Sequence, residues 1–269
     1  MRVLFLGDVV GEAGRDAVRA AIPELIAERA PDFIVVNGEN AAGGNGITPR
    51  ITYDLLRAKV DVITLGDHCW DQREIYSFFE EEPRLIRPIN FPAGCPGQGS
   101  VVVSGNGKKL GVLNALGRTF MPIQAEHPLP VLEAEIKKMR EETKCILLDF
   151  HCEATSEKIC VGHSLDGSIS AMVGTHTHVQ TADDKILMGG TAYITDVGFC
   201  GGHDSVIGRD KYAIMQRYRN QMPIRMAISA AQLQVDGVCI DIDEETGKAT
   251  AIERIQMVVD LSLLEDDKS

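Results

Sequence analysis

Val173-Gly-Thr-His-Thr-His-Val179 is the stretch from which the fold can be read. The apolar run that precedes it, residues 169–173, predicts a buried strand that stops at the glycine. His176 and His178 follow two positions apart, and on an extended backbone such residues point to the same side. The pair is therefore a candidate metal site just past a strand end, because neutral imidazole is the commonest metal ligand. Two surface histidines in a loop are the alternative.

The same pattern, an apolar strand that ends at residues able to bind metal, recurs along the chain. Strand-like runs at 2–6, 33–36, 62–65 and 145–150 alternate with predicted helices at 12–28 and 49–59, which indicates an α/β fold with largely parallel strands. In such sheets the ligand site lies beyond the carboxyl ends of the strands. The residues expected to gather there are Asp8, Glu39, Asn40, Asp67, His68, His151, His176 and His178.

Carboxylates crowded at one sheet edge would repel one another, and cations are the simplest way to hold them together. A ligand set of carboxylates, an amide and imidazoles, without thiolate, suits Mn, Fe or Zn. The set is too large for one ion but suits two ions that lie ~3.5–4 Å apart. Each residue alone has an ordinary structural explanation, such as a helix cap or a turn. Five strand ends that follow the same pattern make the site the better interpretation.

In their order along the chain these motifs resemble the calcineurin-like metallophosphoesterases. The matching pieces are Gly7-Asp8, Gly38-Glu39-Asn40, Gly66-Asp67-His68, a lone His151 and Gly174-Thr-His176-Thr-His178. Longer stretches, Gly38-Glu-Asn-Ala-Ala-Gly-Gly-Asn-Gly-Ile-Thr-Pro49 and Asp149-Phe-His-Cys-Glu-Ala-Thr-Ser-Glu157, resemble the bacterial YmdB-type branch. The resemblance extends from Met1 to about Val259.

The resemblance implies a four-layer α/β/β/α sandwich with a di-metal centre, in which Fe or Mn is expected in preference to Zn. It also implies hydrolysis of cyclic nucleotides, notably 2′,3′-cyclic ones, by a homo-oligomer. Carried over residue by residue, it gives each residue a role. Asp8, Asn40 and His178 would hold one metal. Asp67, His151 and His176 would hold the other, and Glu39 would bridge both. His68 would be the general acid.

Asp67 departs from the family pattern, which has asparagine before the histidine. An aspartate is nearly isosteric and still offers an oxygen ligand, so Asp67 remains a predicted ligand. Its additional negative charge is expected to tighten ion binding and to shift the pH optimum. A phosphomonoesterase on the same centre, or a regulator that binds nucleotide without turnover, remains the alternative function.

The composition, 269 residues with 44% hydrophobic and 25% charged, is ordinary for a globular protein, and we expect one domain over 1–269. The net charge of −12 argues against broad nucleic-acid binding but not against a small phosphoester substrate held by metal ions. We find neither a signal-peptide core nor an apolar stretch near the ~20 residues of a membrane span. Seven scattered cysteines read as reduced thiols, and the expected compartment is the cytoplasm.

Further patterns complete the expected fold. Residues 72–79 and 128–140 predict helices, and Pro23 could break the first helix. Residues 226–230, 234–242 and 249–259 predict an antiparallel end to the sheet system. The tail, residues 265–269, is expected to fray.

Overall fold

The computed structural model describes residues 1–260, so the tail at 265–269 lies outside the described residues. Along the chain the secondary-structure elements are β1 (Arg2–Leu6), β2 (Asp8–Val9), α1 (Gly11–Arg29), β3 (Phe33–Asn37), α2 (Pro49–Arg57), β4 (Val62–Thr64), α3 (Ile75–Phe78), β5 (Ser100–Gly105), β6 (Lys108–Leu116), α4 (Pro128–Met139), β7 (Ile146–His151), α5 (Thr155–Ser164), β8 (Ala171–Thr175), β9 (Lys185–Ile186), β10 (Ala192–Ile194), β11 (Phe199–Gly202), α6 (Lys211–Asn220), β12 (Leu233–Ile242) and β13 (Ala249–Val258).

The first sheet joins strands from both ends of the chain. Its order is β2-β11-β12-β1-β3-β4, with β13 also paired to β12. Strands β1, β3 and β4 run parallel, whereas β12 is antiparallel to β1, β11 and β13. The antiparallel pairing predicted for the C-terminal strands is confirmed, although β12 lies inside the sheet beside β1 and not at its end.

The second sheet has the order β5-β6-β7-β8-β10-β9. Its four central strands run parallel, and the two edge strands, β5 and β9, are antiparallel to their neighbours. Strands β5 and β6 form an antiparallel hairpin. Its tight turn places Asn106 and Gly107 at positive φ, where glycine and asparagine are favoured.

Three hydrophobic clusters show how the layers stack. Alternate residues of β1 point to opposite faces, so Leu4 and Leu6 pack against α1 while Val3 and Phe5 face the second sheet. The other face of the second sheet packs against α4 and α5, for instance through Phe150. The order of layers is therefore helix, sheet, sheet, helix, which confirms the α/β/β/α architecture.

Several local expectations differ from the structure. Helix α1 continues through Pro23, because buried side chains on both sides of the proline pack against the first sheet. Helix α3 is limited to four residues, since turns occupy 67–74. The strand predicted at 226–230 is wrong: the main chain there pairs with the loop at 208–210 through a bridge between Arg209 and Ile228. Helix α5 was not foreseen.

No helix within residues 1–260 has the length and apolar character needed to cross a membrane.

Candidate metal centre

Both sheets direct their parallel strand ends to the same place. The first sheet supplies the acids and the amide, which follow β1, β3 and β4, and the second sheet supplies three imidazoles, at the end of β7 and after β8. Hydrophobic packing between the sheets fixes this meeting point, so the predicted convergence of strand ends is confirmed. The residues brought together are Asp8, Glu39, Asn40, Asp67, His151, His176 and His178.

Glu39, Asp67, His151 and His176 form what we call the first cluster, in which one ligand atom from each lies within 4.8 Å of the others. Nε2 of His151 is 3.1 Å from Oε1 of Glu39 and 3.2 Å from Oδ1 of Asp67. Nδ1 of His176 is 3.4 Å from the same Asp67 oxygen. These ligand atoms are close enough to one another for one small cation to contact all four groups.

Asp8, Asn40 and His178 form the second cluster, which lies beside the first. Nε2 of His178 is 3.2 Å from Nδ2 of Asn40 and 3.9 Å from Oδ2 of Asp8. The Asn40 amide also donates to Oε1 of Glu39 at 3.0 Å. Glu39 therefore contacts both clusters, as expected of a bridging carboxylate.

In all three histidines one ring nitrogen faces the buried acids and the other is held by an oxygen. The oxygens are Oγ1 of Thr175, 2.8 Å from Nδ1 of His151, Oε2 of Glu153, 3.2 Å from Nε2 of His176, and the main-chain oxygen of Ile207, 3.1 Å from Nδ1 of His178. A proton on the held nitrogen leaves a lone pair on the inward one. This is the second-sphere arrangement that fixes metal-binding histidines.

Asp8 gives an independent test of whether a cation fits. Its side chain is fully buried, and among residues 1–260 its Oδ1 atom has no hydrogen-bond partner. Oδ2 of the same side chain accepts from the main-chain N–H of His176 at 3.0 Å. Burial nevertheless raises the pKa of Asp8, since a carboxylate is costly to keep charged away from water. A cation would satisfy Oδ1, so the donor set fits metal ions.

The charges within the first cluster depend on one another. Burial alone would lower the pKa of His151, but the carboxylates of Glu39, Asp67 and Asp8 outweigh it and raise that pKa well above its usual value. Burial would likewise raise the pKa of Asp67, yet hydrogen bonds from His151 and His176 lower it well below its ordinary range. The cluster therefore requires positive charge, from a proton on His151 or from a metal ion.

His68 lies beside the clusters and not inside them. Its side chain is one-third exposed (33%), and its Nε2 atom is 3.9 Å from Oδ2 of Asp67. Nδ1 of His68 is 2.9 Å from Oδ2 of Asp71 and 3.0 Å from Nδ2 of Asn45. Neither Asp71 nor Asn45 was expected from the sequence, because both lie in irregular loops whose folding no periodicity predicts.

The loop that carries His176 and His178 is not extended. The φ angles of the two residues are +101° and +61°, a region that is strained for residues other than glycine. The expectation that both rings face one point through strand alternation is therefore wrong. His176 joins the first cluster and His178 the second, because the chain turns between them.

A buried ion pair braces this loop. Nζ of Lys158, on α5, donates to Oδ2 of Asp196 and to the main-chain oxygen of Thr175, both at 2.8 Å. The same Asp196 oxygen accepts from the main-chain N–H of Thr177, between the two histidines, at 3.0 Å. Both charged side chains are fully buried. Sequence reasoning missed Lys158, since a lysine on a helix normally reads as a surface residue.

The clusters open into a cavity of about 370 Å³. Its walls include ligands of both clusters, His68, Glu153 and Arg209. Nη2 of Arg209 donates to the main-chain oxygen of Gly44 at 3.1 Å and to Oδ1 of Asn45 at 3.0 Å. The cavity therefore combines potential metal ligands, a titratable imidazole and a guanidinium.

Comparisons with known proteins agree with this geometry. A family model described as YmdB-like protein matches residues 4–255. The 2′,3′-cyclic-nucleotide 2′-phosphodiesterase of Bacillus subtilis is 49% identical over 259 residues, which cover 95% of this chain and 96% of the relative.

Two solved structures are also similar over nearly their whole length. A hypothetical protein from Thermus thermophilus has a TM-score of 0.89 at 36% identity, and the match covers 97% of this chain and 100% of the Thermus chain. A novel phosphatase from Mycoplasma pneumoniae has a TM-score of 0.89 at 33% identity, and the match covers 98% of this chain and 96% of the Mycoplasma chain.

Proposed function

Because this chain belongs to the YmdB-like protein family, we propose that it is a metal-dependent phosphodiesterase that hydrolyses 2′,3′-cyclic nucleotides. The relative from Bacillus subtilis is named for that reaction. The observation that carries the proposal is the set of three imidazoles, each tethered through one nitrogen and turned toward buried carboxylates with the other.

The two clusters suggest how ions would be shared. Asp8, Asn40 and His178 would hold one ion, and Asp67, His151 and His176 the other, with Glu39 between them. Coordination by Asn40 uses its amide oxygen, so the amide group would rotate to present that atom. The ligand set of oxygen and nitrogen atoms without sulfur favours Fe or Mn, with Zn as the alternative.

Bound at these positions, the ions would offset the negative charge of the phosphate and lower the pKa of water toward ~7. The remaining work belongs to the protein. His68 would hold a proton at Nε2 and donate it to the ribose oxygen that leaves phosphorus, a step worth roughly 10²–10⁴-fold in rate. The side chain of His68 is partly exposed and lines the cavity, so a substrate bound there would meet its ring.

A substrate comparison tests the proposed function. Protein purified without chelator is analysed for metal content and assayed on 2′,3′-cAMP, 3′,5′-cAMP and p-nitrophenyl phosphate. We expect two ions per chain and the highest kcat/KM on 2′,3′-cAMP. Preference for p-nitrophenyl phosphate would instead make the protein a phosphomonoesterase, and nucleotide binding without product would make it a regulator.

His68→Ala separates the proposed general acid from the metal ligands. We expect the variant to keep both ions and to lose about 10²–10⁴-fold in kcat. Loss of metal, or full activity, would contradict the role assigned to His68.

A further inference from the structure

Helix α6 and the segment after it, residues 211–226, form a surface that packs little against the rest of the protein; we call it the α6 surface. No side chain of α6 is buried, unlike those of the helices that cover the sheets. Its large exposed side chains are Tyr212 (71%), Met215 (46%), Tyr218 (88%) and Met222 (62%). The fold does not use these side chains for its core, which leaves them free to contact a ligand.

The charge of the α6 surface is opposite to that of the whole protein. Residues 211–226 contain four basic residues and no Asp or Glu, whereas the chain carries a net charge of −12. Lys211 is already paired with Asp204. Within the described chain, Arg217, Arg219 and Arg225 have no carboxylate at ion-pair distance. No carboxylate among residues 1–260 therefore neutralises these three charges, which suits an anionic ligand.

The α6 surface continues directly from the cavity at the metal centre. Arg209 lines that cavity, and its Nη1 atom is 3.5 Å from the main-chain oxygen of Met226. Met226 in turn lines a groove of about 740 Å³ together with Ile214, Arg217, Tyr218 and Gln221. A ligand anchored at the metal centre could therefore extend past Arg209 onto Tyr218 and Arg217.

We propose that the α6 surface holds the upstream nucleotides of a single-stranded RNA whose terminal 2′,3′-cyclic phosphate enters the metal centre. This inference rests on the proposed function and names a larger substrate class for the same site. A 2′,3′-cyclic phosphate can occur at the 3′ end of an RNA strand as well as on a mononucleotide. In the strand, O5′ of the terminal ribose is bonded to the phosphate of the upstream linkage. Arginines neutralise such phosphates, and exposed tyrosines stack on unpaired bases.

A second copy of this chain is a weaker occupant. A two-fold contact through the α6 surface would bring the basic patch of one copy, with Arg217, Arg219 and Arg225, against the basic patch of the other. Juxtaposed like charges cost free energy and oppose association. The acid-free composition of 211–226 therefore favours a polyanion.

The reaction on the RNA end would be the same hydrolysis. The oxygen of one water molecule forms a bond to phosphorus, and the bond from phosphorus to O2′ breaks. One proton of that water passes to solvent or a base, and O2′ receives a proton from His68, which is later reprotonated. The products are an RNA strand with a 3′-phosphate and a free 2′-hydroxyl.

The test compares 2′,3′-cAMP with a hexanucleotide that ends in a 2′,3′-cyclic phosphate, using the metal-loaded protein. In the double variant Arg217→Glu/Arg219→Glu, kcat/KM for the hexanucleotide should fall by about tenfold or more, whereas kcat/KM for 2′,3′-cAMP should stay within about twofold of wild type. Lys109→Glu/Lys137→Glu makes the same change in net charge on exposed residues elsewhere and should leave both substrates unaffected. Tyr218→Ala tests stacking in the same assay.

The outcomes are separable. If neither the wild-type protein nor any variant cleaves 2′,3′-cAMP, the proposed function itself is wrong. If 2′,3′-cAMP is cleaved but the hexanucleotide is not, or if Arg217→Glu/Arg219→Glu affects both substrates equally, the RNA inference is overturned. Sedimentation of the same variants completes the test: a change in subunit number without a selective loss on RNA would assign the α6 surface to contacts between copies.

Discussion

Nδ1 of His68 lies 2.9 Å from Oδ2 of Asp71, three residues further along the chain. The opposite nitrogen of the same ring, Nε2, lies on the side of Asp67 and the metal centre. With a proton on Nδ1, this contact is a hydrogen bond to Asp71, and Nε2 is then the nitrogen that exchanges protons with substrate. Asp71 is thus a positioning residue for the proposed general acid.

We predict that Asp71→Asn lowers kcat about 10- to 100-fold, because the ring loses the carboxylate that fixes its protonated nitrogen. KM and metal content should stay close to wild type, and the pH profile of kcat should change shape. Steady-state kinetics across pH, with elemental analysis, measure all three. An unchanged pH profile would show that Asp71 does not act through His68.

We predict that Asp67→Asn weakens metal binding and changes the pH–rate profile. The carboxylate of Asp67 contacts both His151 and His176, and its charge strengthens the attraction for cations in this buried cluster. The affinity should fall about tenfold or more, while turnover at saturating metal should rise because less charge opposes the phosphate. Competition titration against a chelator measures affinity, and Asp71→Asn serves as the control that leaves it unchanged.

Metal uptake should release protons and strengthen with pH. The pKa of His151 is raised well above its usual value in the metal-free protein, so its ring stays protonated as pH rises through neutrality. A cation can use Nε2 only after that proton leaves, and lower pH therefore opposes binding. Calorimetry at pH 7 in buffers of different ionisation enthalpy should detect about one proton released per chain. Binding that is independent of buffer and pH would exclude this coupling.

The buried pair of Lys158 and Asp196 should support both stability and metal binding. We predict that Lys158→Met costs about 3–5 kcal/mol in the free energy of unfolding, because it leaves Asp196 buried without its counter-charge. Metal affinity should fall as well, since the loop between the two histidines loses its brace. Urea unfolding and metal titration measure these effects.

Lys138→Met is the matched control, because it breaks an exposed ion pair with Glu135. Such pairs contribute about 0–1 kcal/mol, so stability and metal affinity should stay near wild type. Equal effects of the two lysine variants would show that the buried pair has no special role.

The sequence was sufficient to predict the features that follow from strand periodicity. Apolar runs that end at Asp8, Glu39, Asp67 and His151 indicated parallel strands with ligands at one edge, and these side chains do converge. The family resemblance added the four layers, which hydrophobic alternation alone does not specify. The homo-oligomer and the two-ion count stay predictions.

Features that depend on contacts between distant segments could not be predicted. Asp71 meets His68 only because residues 67–74 form turns instead of the helix expected at 72–79. The positive φ angles at His176 and His178 replace strand alternation as the reason for their directions. Lys158 precedes β8 in the sequence and Asp196 follows it, so only the tertiary structure shows that the two side chains form an ion pair.

The division of the ligands between the sheets has a consequence for biosynthesis. All carboxylates of the two clusters have been synthesised once translation reaches residue 67, whereas the imidazoles are added only between residues 151 and 178. A nascent chain on the ribosome cannot assemble a complete ion-binding site until the second sheet has emerged and docked. Metal capture would therefore be a late event in the maturation of this protein, and it would join two parts of the polypeptide that are made at different times.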